Sequence, residues 1–367
     1  MDPAALSAAI RTESALGFVA SSRWSTSLPV TYVEGLDALL NGTDAALRRG
    51  DVVEVQGLPS SGKTSLLLHL AATALLMRKA HVRIDGSVAE VLVGGKEETV
   101  VWMDCTSRFD IARLASLVRH HLVVAIQRFR RPRGLGAPTA KELDSLVEEC
   151  LARLHIFHPT STLQLAATVQ SLPDWFKNHA TDDLGYVLVD GMSEFAWADE
   201  HVRETTPKAP PPNTPLPPLR LLLAAIANLR QTLAPVIFIT QWVFRPYVTL
   251  PHLSQEKLPF YQPHFAPPHW PSISSPSPPL DLSNPLTPPT LPNWDWPTFP
   301  IKLHITMHPP PKAVFRKGVG LATVLSESRK ESGERAGAEG IKCVLRGPGG
   351  KEIGSWKMGV TEDEIGT

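Results

Sequence analysis

The chain has 367 residues, enough for one large α/β domain with extensions or for two domains, and its 36 basic and 36 acidic residues give a formal net charge of zero. No whole-molecule field then draws it to nucleic acid or to an anionic membrane, so any such binding is local. Three cysteines (Cys105, Cys150, Cys343) form no disulfide framework and show no paired metal spacing, which fits a reducing compartment.

The opening MDPAALSAAIRTESALG lacks the basic start and apolar core of a signal peptide. The longest apolar stretch, around Leu66 to Met77, is interrupted by His69 and is too short to span a bilayer. The expectation is a soluble intracellular protein with no membrane association.

In chain order, residues 4 to 20 suit a short helix with Leu6, Ile10, Leu16 and Val19 on one face, followed by a polar linker over 21 to 30. Val33, Leu36, Leu39 and Leu40 predict a second short helix ended by Asn41-Gly42. Residues 1–45 thus read as a helical segment and linker, not a separate folded domain. Val52-Val53-Glu54-Val55 is a β-branched strand that runs into a glycine turn, and the turn opens into a leucine- and alanine-rich helix over 63 to 78.

Between strand and helix stands Gly57-Leu58-Pro59-Ser60-Ser61-Gly62-Lys63-Thr64, followed by Ser65. This is the spacing of a phosphate-binding loop. The glycines let successive backbone N–H groups point at phosphate oxygens, and the helix adds its positive N-terminal dipole. Lys63 reaches the β- and γ-phosphates and the Thr64 hydroxyl ligates Mg²⁺. An accidental glycine turn is the bland alternative, and the strand before and helix after argue against it.

Residues 81 to 97 are ambiguous. Thr99 to Asp104 is a continuous apolar run ending in a carboxylate, as in a parallel strand covered on both sides. Helices are expected over 109 to 130, 139 to 153, 162 to 178 and 216 to 232, and strands over Leu154 to Phe157, Gly185 to Asp190 and Val236 to Gln241. The alternation specifies an α/β fold with a mostly parallel, doubly wound sheet, whose ligands belong at the carboxyl ends of its strands. Asp104, Asp190 and Gln241 stand at such ends, as does the phosphate loop. Asp190, closing an apolar strand downstream of the loop, fits the carboxylate that orients Mg²⁺ and its waters; a solvated strand-end aspartate is the plainer reading.

Most of the 35 prolines lie between Pro207 and Pro311. Repeated proline forbids helix and central strand, so residues 201–218 and 246–300 are expected as long proline-rich insertions, the second of them disordered. Ile301 to Met307, Ile341 to Leu345 and Ile353 to Val360 read as three closing strands within 301–367, forming an antiparallel edge. The core is then residues 46–245.

IRTES, GDVVEVQGLPSSGKTSLLLHL, VVWMDCTSRFDIARL, LHIFHPTSTLQLAATVQSL, VLVDGMSEFAWADE and VIFITQ together resemble the RecA-type recombinases. Within that family the chain looks like the eukaryotic paralogues that assist homologous recombination. The resemblance covers about residues 5 to 245, and implies a RecA-like NTPase core that binds ATP and Mg²⁺ through the loop and Asp190. It also implies that Gln241 senses the γ-phosphate and relays its presence to a DNA-binding loop. Active members place a glutamate two residues after the aspartate equivalent to Asp104 to activate the attacking water; here that position is Thr106. A hydroxyl cannot do that work, and general-base assistance is worth roughly 10²–10⁴-fold in rate. ATP binding is therefore expected over efficient hydrolysis, with the catalytic residue unassigned; Glu98 and Asp110 are near in sequence but not at the position.

The family's DNA-gripping loops follow the strands that end at Asp190 and Gln241, where this chain has its proline-rich segments, poor in lysine, arginine and glycine. DNA contact is accordingly expected through a complex. Arg128, Arg130, Arg131 and Arg133 form the best basic cluster, which suits DNA contact, a nuclear import signal or a merely solvated face. The reading is an ATP-binding mediator subunit that works in the nucleus with other recombinase paralogue subunits, in double-strand break repair by homologous recombination. The alternatives are a non-hydrolysing structural adaptor of a repair complex, and a small-molecule P-loop kinase, for which no arginine-bearing lid or acceptor-binding acid is evident.

Overall fold

Strands that are apolar at consecutive positions must be covered on both faces, and the computed structural model of the chain arranges them in that way. It describes residues 30–41, 46–179, 183–205, 218–242, 301–309, 340–347, 351–360 and 365–366. The elements are α1 (Glu34–Leu40), β1 (Val52–Gly57), α2 (Lys63–Leu75), β2 (Lys79–Ile84), β3 (Ser87–Leu92), β4 (Thr99–Asp104), α3 (Ile111–Arg130), α4 (Ala140–Leu151), β5 (Leu154–Phe157) and α5 (Thr162–His179). They continue with β6 (Leu184–Asp190), α6 (Ala196–Thr205), α7 (Pro218–Thr232), β7 (Val236–Trp242), β8 (Ile301–His308), β9 (Ile341–Arg346), β10 (Glu352–Val360) and β11 (Ile365–Gly366).

Nine strands form one sheet in the order β11-β10-β9-β8-β1-β7-β6-β4-β5. From β8 to β5 every pair is parallel, and from β8 outward to β11 every pair is antiparallel. The expected antiparallel edge is present, but Ile301–His308 itself is a parallel strand beside β1. Leu303, Ile305 and Met307 fall opposite Val53, Val55 and Gly57, which continues the apolar face of β1.

Alternation along the strands divides the core in two. Val53, Val55, Trp102, Tyr186 and Phe238 pack with α1, α2, α3 and α4 on one face. Val52, Val101, Met103, Val187, Ile237 and Ile239 pack with α5 and α7 on the other. α1 belongs to the core: Val33, Leu36 and Leu40 are buried in the first cluster, and Gly35 and Leu39 lie against Trp356 and Gly354 of β10. The expected helix over residues 4 to 20 and the linker up to residue 29 lie outside the described residues, as does the 246–300 insertion.

Two expectations change. The ambiguous stretch 81 to 97 contributes to a separate two-stranded sheet, β2 paired with β3, turning through Asp85 (φ 50°) and Gly86 (φ 83°). An Asp-Gly pair between strand residues is the strongest short hairpin signal, so this element was legible. The insertion expected from residue 201 begins later. α6 continues to Thr205, because the first proline stands only at Pro207, and residues 206–217 lie outside the described residues. No helix among the described residues is long and apolar enough to cross a membrane.

Candidate nucleotide-binding site

The phosphate loop leaves β1 between β8 and β7, at the carboxyl end of the sheet. Gly57 is required by close approach: a Cβ there would collide with the Ser61 hydroxyl and with the Met307 carbonyl of β8. Ser60 (φ 62°) and Gly62 (φ 86°) both take left-handed backbone, and the Ser60 strain falls in the middle of the loop. Leu58, Pro59 and Ser60 are exposed, while Ser61, Lys63 and Ser65 are buried.

α2 begins without a side-chain cap and with no acidic residue in its first turn. By contrast, α3 is capped by the Asp110 carboxylate and α4 by the Thr139 hydroxyl, each accepting a backbone N–H. The amide groups and positive dipole at Lys63 are thus open to an anionic ligand, as a nucleotide phosphate requires. The Lys63 ammonium donates to the Gly57 and Leu58 carbonyls, at 2.8 and 2.9 Å, and to Ser61 Oγ at 3.4 Å. Burial pulls its pKa down to about 8, against the attraction of Asp190.

Strand order brings Asp190 to Thr64. The Thr64 hydroxyl lies 3.2 and 3.0 Å from the two carboxylate oxygens, and Thr240 of β7 donates to Oδ1 at 2.8 Å while accepting the Gly191 N–H. Burial raises the Asp190 pKa, the Thr240 and Thr64 hydrogen bonds lower it, and neighbouring Asp104 raises it again. A hydroxyl and a carboxylate at hydrogen-bond distance are hard oxygen donors of the kind Mg²⁺ takes together with waters and phosphate oxygens. The residues present therefore fit ATP and Mg²⁺: the loop and the α2 terminus for the phosphates, Thr64 and Asp190 for the ion.

Asp104 and Asp190 are partners in adjacent strands. The Asp104 carboxylate is tied inward, accepting the Thr106 N–H and hydroxyl (3.1 and 2.9 Å) on Oδ1 and the Phe109 N–H (2.9 Å) on Oδ2. Its burial raises the pKa, but these hydrogen bonds outweigh it and the net shift is downward. Thr106 is thus engaged with Asp104. The two nearby carboxylates are also engaged: Glu98 with Arg49, and Asp110 with its own helix terminus. Gln241 is buried beside Gln56 at the end of β7, one residue before the strand reaches Gly57 in register.

Two site residues escaped the sequence reading. Thr240 holds Asp190, and the polar Thr-Gln pair ending an otherwise apolar strand was its available signal. His158 lies with Nδ1 3.5 Å from Asp104 Oδ2, a juxtaposition that depends on β5 lying beside β4. Cys105, Cys150 and Cys343 are free and buried.

Comparison with known proteins gives concordant relatives, although no family model matches the chain. DNA repair protein XRCC2 of Mus musculus is 27% identical over 150 residues, covering 41% of this chain and 42% of that protein. The DNA repair protein XRCC2 homolog of Arabidopsis thaliana is 23% identical over 168 residues, covering 42% and 43%. The chain is similar to the RecA-type recombinase paralogues. DNA repair protein RAD51 homolog 3 of Cricetulus griseus adds 26% identity over 170 residues, covering 45% of this chain and 40% of that protein. The matched region spans about two fifths of the length of these curated relatives. The crystal structure of the RadB recombinase aligns with a TM-score of 0.47 and 16% identity, over 92% of this chain and 98% of that one.

Proposed function

We propose that this recombinase-paralogue relative binds ATP with Mg²⁺ and acts as a mediator subunit of a DNA repair complex in homologous recombination. The observation that carries the nucleotide reading is the meeting of Thr64 with Asp190 beside an uncapped helix terminus holding Lys63. Recombination is supported by the names of three relatives, each a DNA repair protein. The partners of this reading are other recombinase paralogue subunits, its compartment is the nucleus, and its DNA contact is shared with the complex.

The chain's own residues position the nucleotide. Backbone N–H groups of the loop over residues 57 to 64, all but Pro59, and the Lys63 ammonium would bind the β- and γ-phosphates, and Thr64 and Asp190 would orient the Mg²⁺, with Thr240 holding the Asp190 carboxylate. When bound, the ion supplies charge neutralisation across the phosphates. Gln241 reports the γ-phosphate toward the segment that follows β7. Thr106 favours binding over turnover, because its hydroxyl serves Asp104 and carries no carboxylate for a water. That same contact favours the second reading, an ATP-stabilised structural adaptor.

Steady-state ATP hydrolysis with and without single-stranded DNA, beside equilibrium ATP binding, tests the proposal. Tight Mg²⁺-dependent binding with negligible turnover is expected. DNA-stimulated turnover would replace it with an active ATPase, and no ATP binding would remove the nucleotide site altogether.

A further inference from the structure

The arginines at the end of α3 take no part in the nucleotide site. α3 is capped by Asp110, just past the carboxyl end of β4, and its 20 residues carry the chain about 30 Å to a loop that meets the β2–β3 turn. There Arg128, Arg130, Arg131 and Arg133 follow within six positions, across the helix end and a 3₁₀ turn (Arg131–Arg133). Arg128, Arg131 and Arg133 are exposed, and Arg130 is half-buried.

Three of the four side chains are held by neutral partners. Arg131 donates to Gln127 Oε1 at 3.3 Å, Arg130 to the Leu135 carbonyl at 3.5 Å, and Arg133 to the Phe129 carbonyl at 2.7 Å while covering the Phe129 ring at 4.2 Å. Among the described residues, no carboxylate pairs with any of the four, whereas Arg49, Arg119 and Arg153 pair with Glu98, Asp144 and Glu97. Carboxylates of the neighbouring hairpin and of α4 have other partners: Asp85 accepts the Gly136 N–H, Glu142 the Arg83 N–H, and Asp144 the Arg119 guanidinium. The Asp85 contact also sets the β2–β3 turn against the loop after the arginines, which adds the exposed Arg83 to the same end of the molecule.

We propose that this arginine turn docks the phosphate backbone of nucleic acid, beside the β2–β3 turn and apart from the nucleotide loop. Guanidinium forks match phosphate oxygens two at a time, and partial tethering keeps them displayed. A protein-docking face would present an apolar centre. Within the arginine turn, residues 126 to 136, no large apolar side chain is exposed; the exposed Val88 and Leu92 lie outside it, on β3 of the neighbouring hairpin. A chain of zero net charge exerts no whole-molecule attraction, so binding here rests on the local charge of this patch. The inference goes beyond the proposed function and rests on it only for the choice of DNA as first probe.

The test is fluorescence anisotropy of the full chain with a labelled DNA duplex and a single strand of the same sequence, over a series of salt concentrations. Arg128→Gln/Arg131→Gln/Arg133→Gln should weaken binding at least about tenfold and reduce the log–log salt slope by about 2 to 3, as expected for three lost phosphate contacts. The matching triple Lys variant should keep most of the slope. Whichever probe shows the larger change identifies the form of DNA recognised. Arg131→Gln alone, which is exposed and leaves the fold untouched, should lower the slope by about one and guards against misfolding of the triple variant. No measurable binding by the wild type, or an unchanged slope in the variants, overturns the proposal. A variant that keeps DNA binding but loses an acidic protein partner overturns it equally. Failure of the repair reading shows separately, as lost ATP binding with the salt-dependent DNA binding intact.

Discussion

The Thr64 hydroxyl meets both carboxylate oxygens of Asp190, at 3.2 and 3.0 Å, across 126 positions of sequence. The same carboxylate accepts Thr240, so three strands or their extensions converge on the position proposed for Mg²⁺. Asp190→Asn keeps the size and one acceptor oxygen but removes the charge. ATP affinity in Mg²⁺ should fall at least about tenfold, with little change in EDTA, because the lost attraction is to the ion. Affinity in Mg²⁺ equal to the wild type would remove Asp190 from the metal position.

Lys63→Ala should abolish measurable ATP binding while leaving the fold nearly intact. Its ammonium is desolvated in the folded state, so removal relieves a burial penalty even as it deletes hydrogen bonds to the Gly57 and Leu58 carbonyls. Thermal unfolding beside a binding titration separates the two effects. Unchanged affinity would sink the assignment.

ATP binding should depend on alkaline pH. Burial lowers the Lys63 pKa from 10.5 to about 8, so its charge is lost as pH rises through that value. Bound phosphate favours the charged form, so binding near pH 8 should take up a fraction of a proton. Calorimetry in buffers of different ionisation enthalpy measures that uptake. Between about 8 and 10.5 the unfolded chain holds a proton here that the folded chain lacks, so this lysine's contribution to stability rises with pH in that window.

Acid should destabilise the protein through its histidines. Burial, helped by His69 and His120, lowers the His121 pKa from 6.5 to about 4, and burial beside Arg346 and Lys342 does the same at His308. Between those values the unfolded chain binds protons that the folded chain does not, so stability falls as pH drops from 6.5 toward 4. His121→Leu should flatten the fall in Tm over that range; an identical profile in the variant would assign the acid sensitivity to other groups.

The sheet centre holds a costly polar contact. His304 of β8 bonds Glu54 of β1 at 2.7 Å, and both are almost wholly buried. His304→Ala should destabilise by about 3 kcal/mol, because it leaves the carboxyl buried without its imidazole. Glu54→Leu/His304→Leu should recover most of that loss in chemical unfolding. If the double variant is as weak as the single one, packing and not the polar pair sets the stability here.

The phosphate loop was legible in the sequence because its chemistry is local: glycine where the backbone turns or a neighbour presses, then a lysine and a hydroxyl at the helix start. Asp104 and Asp190 were legible because each closes an apolar run that only a covered parallel strand explains. Thr106 was readable as a missing glutamate, but its hydrogen bond to Asp104 was not, since a side chain's choice of partner depends on the rotamer that the packed strand end allows. The tertiary structure alone decided that Thr240 holds Asp190, that His158 faces Asp104, and that β8 runs parallel beside β1 before the sheet turns antiparallel. These contacts are set by strand order and register, and hydrophobic alternation is the same whichever neighbour a strand takes. Sequence spacing thus determined which groups could bind a phosphate, and the order of strands determined which side chains hold them in place.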